Sequence, residues 1–178
     1  MARAEIVTAE DLDWTDLNPA RGDASPRAAT LWGDRAGDGA SGFLVKFADG
    51  FESPPHIHNV SYRAFVLTGS VFNEDVDGPR SWMGPGSFWT QPAGDAHITA
   101  SQGESMVYVE IDSGPYLVRP IDQAFDNGET PVNLHAERIE WRAGDEIGWA
   151  DAPPGLEVAE RAFVEIAVVV VEAVPEER

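Results

Sequence analysis

Cysteine is absent from the 178 residues. That excludes disulfides, thiolate nucleophiles and sulfur-ligated metals together, so any bound metal must be held by nitrogen and oxygen. Basic residues are few: 12 stand against 31 acids, for a formal charge of −19. A surface of that sign repels phosphate backbones and anionic bilayers, which argues against nucleic acid and membrane as partners. The acids are spread along the chain rather than blocked, so they do not read as an acidic tail. Long apolar runs are missing as well. The longest, IAVVVVEAV near the end, is too short to span a bilayer. The opening MARAEIVTAEDLDW carries acids where a secretory signal needs an apolar stretch. The expectation is a soluble, cytoplasmic protein with one domain and a true hydrophobic core.

What is present is punctuation. Seventeen glycines and 13 prolines separate short apolar or aromatic segments: AATLWG (28–33), SGFLVKF (41–47), YRAFVLTG (62–69), GSFWTQ (86–91), SMVYVEI (105–111) and AFVEIAVVVV (162–171). Most are rich in β-branched and aromatic residues, and nothing between 28 and 120 sustains a helical apolar period. Turn signals such as ADG, MGPG, PAGD, SQGE and DSGP bound them. Many short strands at close spacing predict an all-β sandwich or barrel. Residues 28–120 form its expected core, 1–27 an arm docked on it, and 121–178 a carboxy-terminal extension within a single domain.

Histidine is scarce, yet two of the four sit together in SPPHIHNVSYRAFVLTGS, residues 53–70. On a strand, positions i and i+2 share a face, so His56 and His58 can converge on one ion. The prolines at 54 and 55 stiffen the approach and favour extended backbone before them. A lone pair of strand histidines is commonly exposed or structural; here the surrounding spacing matters. Gly50, five residues, His56, one residue, His58, and then Gly69 reproduce the first cupin signature. Gly86, five residues, Pro92, one, Gly94, two, and His97 follow the second, up to its last position, where Ser101 replaces asparagine. The chain thus resembles the cupins. The stretch from about 12 to 135 further resembles a bacterial cupin family related to the cupin domain of zinc-binding anti-sigma factors and to small carbon–carbon-cleaving dioxygenases.

The resemblance implies a jelly-roll barrel (a double-stranded β-helix) holding one divalent metal, with His56, His58 and His97 as ligands. The glutamate of the signature falls on Tyr62, or on Arg63 with the longer spacing. Guanidinium has no lone pair to offer, whereas Tyr62 can bind as phenolate or donate a hydrogen bond to something on the metal. Three neutral imidazoles leave the full dication charge on the ion and a position open for a chelating anion with dioxygen or water. That favours Fe(II) dioxygenase chemistry on a small carbonyl or phenolic compound, with Zn(II), Ni(II) or Mn(II) as other candidates. A metal- or metabolite-sensing module and a metal-dependent lyase or isomerase are the alternatives.

Further candidates carry plain structural readings beside the functional ones. Gln91 can orient a ligand or substrate. Glu110, with Tyr108 and Met106 on one strand face, becomes a general base if that face lines the barrel, and an outward charge if it does not. Trp89, with Trp82, Phe88 and Tyr108, can wall a planar pocket or simply pack the core. His135 reads as structural, and Arg119 as a surface cation. The last strand offers an edge through which a homodimer can form.

Overall fold

The computed structural model describes residues 11–75, 77–139, 141–143, 157–159 and 168–170. The chain divides into two compact units, Met1–Ala136 and Glu137–Arg178. The first holds β1 (Thr15–Asp16), β2 (Arg27–Gly33), β3 (Ser41–Phe47), β4 (His56–His58), β5 (Tyr62–Glu74), β6 (Phe88–Gln91), β7 (Ile98–Ile111), β8 (Val118–Pro120) and β9 (Val132–Leu134). In the second, β10 (Trp141–Ala143), β11 (Glu157–Ala159) and β12 (Val168–Val170) form an antiparallel sheet in that order. The architecture is all-β, as expected. Among the described residues, no helix is long and apolar enough to cross a membrane.

Seven strands of the first unit make one antiparallel sheet, ordered β1-β2-β3-β7-β5-β6-β9, while β4 pairs with β8. The axis of the sheet is the long β5–β7 pair, which runs from Tyr62 opposite Ile111 to Glu74 opposite Ile98. Its register shifts twice, between Val66 and Thr68 and between Thr68 and Ser70. Such irregularities add local twist and bend the strands, which is how a flat ladder curls towards a barrel. The strand end expected at Gly69 and the turn expected at SQGE are therefore absorbed as bends within continuous strands, because each strand keeps its partner through them.

Alternation decides what lies inside. Tyr62, Ala64 and Val66 of β5 and Val107, Val109 and Ile111 of β7 point inward. They join Phe43, Val45, Val71, Met83 and Trp89 in one buried cluster. Removing a side chain the size of Phe43 or Ile111 from water contributes about 1.5–3 kcal/mol each. A smaller cluster, Phe72, Ile98 and Ala100, carries Trp82 against it.

Both ends of the barrel differ from the expected boundaries. The arm is built in: β1 extends the sheet beside β2, and a 3-10 helix at Pro19–Ala24 follows it. At the other end β9 pairs with β6, so the barrel sheet takes in residues assigned to the extension. Of the strand expected at 162–171, only Val168–Val170 is described, paired with β11; the rest of the expected dimer edge lies outside the described residues.

Gly94 shows how tightly one turn is set. Its φ is 80°, and a Cβ there meets the Phe125 carbonyl oxygen at 2.4 Å. Gly50 has a similar φ of 71° but open space around it. Gly50→Ala is thus expected to cost only the left-handed backbone penalty, about 1–2 kcal/mol. Gly94→Ala adds a clash with backbone and costs distinctly more, read as the difference in urea-unfolding free energy.

Candidate metal centre

The histidines are brought together by backbone first. His56 and His97 form an antiparallel bridge and exchange both main-chain hydrogen bonds, each 3.0 Å long. Residues paired in this way project their side chains from the same face. His58, two residues along β4, projects from it too. The loop carrying the second motif is tied to the same strand, since Gly94 N–H donates to the His58 carbonyl at 2.8 Å. Ring centroids lie 4.3 Å apart for His56 and His97, 5.0 Å for His56 and His58, and 5.3 Å for His58 and His97.

One nitrogen from each ring lies within 4.8 Å of those of the other two, and all three residues are buried. Two rings are steered by their own chain: His56 Nδ1 donates to the Pro54 carbonyl at 3.0 Å, and His97 Nδ1 to the Asp95 carbonyl at 3.1 Å. Among the described residues, His97 Nε2 is buried with no hydrogen-bond partner. An orphaned polar atom in the interior carries a desolvation penalty that a coordinated cation removes. Burial lowers all three pKa values; the neighbouring imidazoles add to it at His58 and His97, and His97 is brought down to about 3. The rings are neutral at pH 7, with lone pairs free for a metal. This all-nitrogen donor set fits a divalent ion of the zinc, iron, nickel or manganese group and does not choose among them.

Around the histidines lies a polar scaffold that spacing rules only partly anticipate. Tyr62 packs edge-on to His58 at 5.1 Å. Its hydroxyl donates to Asn73 Oδ1 at 3.3 Å and accepts from Trp89 Nε1 at 3.4 Å. Burial raises its pKa, so it stands as a neutral phenol rather than a phenolate. Gln91 is almost fully buried; its Nε2 donates to the Asp95 carbonyl that also receives His97 Nδ1. Through that shared acceptor it acts on the orientation of His97. Asn73 donates to Gln91 and accepts from Tyr62 and Thr99, joining the three. Tyr116 stacks on His58 at 4.4 Å with its hydroxyl 3.2 Å from Nε2.

Asn73 and Tyr116 were not anticipated. Two register shifts stand between Tyr62 and Asn73, so strand parity cannot be counted across them. Tyr116 lies before β8 in an irregular segment with no periodic signal.

Glu110 and Tyr108 are corrections. They lie on the face of β7 opposite the inward Val107, Val109 and Ile111. There Glu110 pairs with Arg63, directly across the ladder, and accepts from Tyr108 Oη at 2.9 Å. Arg63 also pairs with Asp112 at 2.8 Å. Neither Glu110 nor Tyr108 meets the histidines, so no catalytic base or pocket wall comes from them. His135 lies within 3.0 Å of Ser81 Oγ, and Arg119 is exposed on β8.

A cavity of about 220 Å³ opens beside the centre, with His56, His58, Tyr62, Trp89 and Tyr116 in its wall. The remainder is mainly apolar, from Val45, Phe47, Phe51, Val107 and Val109, and the arm closes it with Leu17, Asn18, Arg21 and Pro26. Among the described residues, no carboxylate lines it.

Comparison with known proteins follows this geometry. Residues 5–169 match the family model described as "Domain of unknown function (DUF4437)". The chain belongs to this family. Its barrel has the cupin fold. The polyketide cyclase RemF from Streptomyces resistomycificus is similar at a TM-score of 0.53, with 19% identity, over 71% of this chain and 89% of that one. A candidate dioxygenase from Nostoc punctiforme gives a TM-score of 0.57 and 17% identity, over 76% of this chain and 51% of that one, so this chain spans about half its length. An RmlC-like cupin from Shewanella frigidimarina gives 0.49 and 15% identity, over 63% of this chain and 93% of that one. These likenesses are likenesses of fold. No curated protein matches the sequence.

As a DUF4437 member with a cupin fold and this centre, the protein is expected to retain about one divalent ion per chain by elemental analysis. His97→Ala loses it, and His135→Ala keeps it. Metal at a hundredfold excess over its Kd raises stability by about 2.7 kcal/mol in the wild type, and by little in His97→Ala, as read from thermal melts.

Proposed function

We propose that this chain is a metal-dependent cupin enzyme acting on a small, mainly apolar carbonyl or phenolic compound, and that its reaction is an oxygen-dependent cleavage of the dioxygenase kind. The observation that carries the reading is the pairing of three buried, neutral imidazoles with an apolar cavity that, among the described residues, no carboxylate enters. His56, His58 and His97 would hold the ion. When bound, it supplies Lewis acidity to a chelating oxygen substituent and a site for a second small ligand.

The other roles belong to the chain. Phe47, Phe51, Val107 and Val109 take up the apolar body of the substrate and exclude water. Burial also raises the pKa of Tyr116, so Tyr116 and Tyr62 stay protonated; Tyr116 can donate to a substrate oxygen, while Tyr62 gives its proton to Asn73 Oδ1. Gln91 and Asn73 hold Tyr62 and His97 in place. A lyase or isomerase needs a group that removes a carbon-bound proton. The cavity wall offers only un-ionised tyrosines and the histidines for that task, which favours oxygen chemistry.

The test is oxygen uptake by Fe(II)-loaded protein given a β-diketone and a catechol. Uptake that vanishes in His97→Ala is expected. Tyr62→Phe is expected to lower it by less than about tenfold, because loss of a true general base costs about 10²–10⁴-fold. Turnover that continues under argon, and that collapses in Tyr62→Phe, overturns the oxygen reading in favour of lyase or isomerase chemistry.

A further inference from the structure

The cavity is apolar but not uncharged. One guanidinium lines it, and it comes from the arm rather than from the barrel: Arg21, in the 3-10 helix Pro19–Ala24. The helix is held by its own ends. Asn18 Oδ1 accepts from Ala20 N at 3.2 Å, Asn18 N donates to Ser25 Oγ at 2.9 Å, and Leu17 N donates to the Pro26 carbonyl at 2.8 Å. Arg21 itself lies over the Phe51 ring, 5.1 Å from its centroid, and uses one N–H on the Glu52 carbonyl at 3.4 Å. It is half-buried.

Among the described residues, no carboxylate pairs with its charge. The nearest acid in sequence to its acceptor, the Glu52 carboxylate, is taken by Arg80 at 2.8 Å. Among the described residues Arg21 forms no ion pair, unlike Arg27, Arg63 and Arg80. In a chain with formal charge −19, an unpaired cation facing an apolar cavity is unusual. The overall negative field opposes anions, so any preference for one must come from a local donor of this kind.

We propose that Arg21 is a specificity residue that anchors a carboxylate at the arm side of the cavity, so that the substrate is an apolar acid whose other end reaches the histidines. This deepens the proposed function and rests on the same cavity. A guanidinium already aligned over an aromatic ring presents its remaining N–H groups as a fork suited to a carboxylate. Arg119, the other cation near β4, lies exposed on β8 and lines no part of the cavity.

The probes are the ω-phenylalkanoates from phenylacetate to 5-phenylpentanoate, each paired with its primary amide. Binding is measured by calorimetry on full-length, metal-free protein, so that coordination cannot supply the preference. At least one acid is expected to bind about two- to fivefold more tightly than its amide, the size of a partly exposed charge pair. Arg21→Gln removes that ratio, chiefly by weakening binding of the acid. Arg21→Lys restores part of it, and Arg119→Gln leaves it intact. The proposal is overturned if no acid in the series binds more tightly than its amide, or if the ratio survives in Arg21→Gln. Because neither metal nor oxygen enters the measurement, the anchor can stand while the oxygen reading fails, and the converse holds equally.

Discussion

Everything at the centre depends on one pair of backbone hydrogen bonds, those exchanged between His56 and His97. They place residues from two distant motifs opposite each other, on one face, before any side chain is considered. The reach of imidazole then does the rest: once two rings are fixed this way, His58 needs only strand parity to complete the set. The neighbouring bond from Gly94 to the His58 carbonyl locks the second motif to the first. The convergence of the three rings is thus a consequence of strand pairing, and mutations that loosen the bridge act on the site without touching a histidine.

The same arrangement works against stability when no ion is bound. Three rings share an interior region, His97 Nε2 has no partner among the described residues, and burial holds all three rings neutral. Such groups persist where the surrounding packing is strong enough to hold them. The Asn73 network supplies that support, because Asn73 and Gln91 are tied to Tyr62, Thr99 and the Asp95 carbonyl. An apolar cluster of Phe43, Val66, Val107 and Ile111 stands behind it. The polar scaffold and the apolar wall therefore divide the work: one orients the ligands, the other keeps water away from them.

Much of this was legible in the chain. The histidine and glycine spacings anticipate the fold and the three histidines that cluster, because each motif spans a turn whose length cannot vary without moving its histidine. Gln91 was placed near the site for the same reason. The limits are equally physical. Glu110 was ambiguous because an alternating strand shows which residues share a face, not which face turns inward; its in-register partner Arg63 settles that. Asn73 lay beyond two register shifts, and Tyr116 and Arg21 belong to irregular segments whose path follows tertiary contacts. The arm illustrates the point well. Composition marked it as a docked segment, yet only its placement reveals that Leu17, Arg21 and Pro26 finish the cavity.

The central claim is that three imidazoles grip a single cation, with no carboxylate among the protein ligands. X-ray absorption at the edge of the metal that the purified protein retains tests it most directly. The account predicts multiple-scattering features of three imidazole rings, matching His56, His58 and His97, that weaken by about one ring in His97→Ala. A shell of oxygen scatterers without imidazole features, or a spectrum unchanged by His97→Ala, contradicts it.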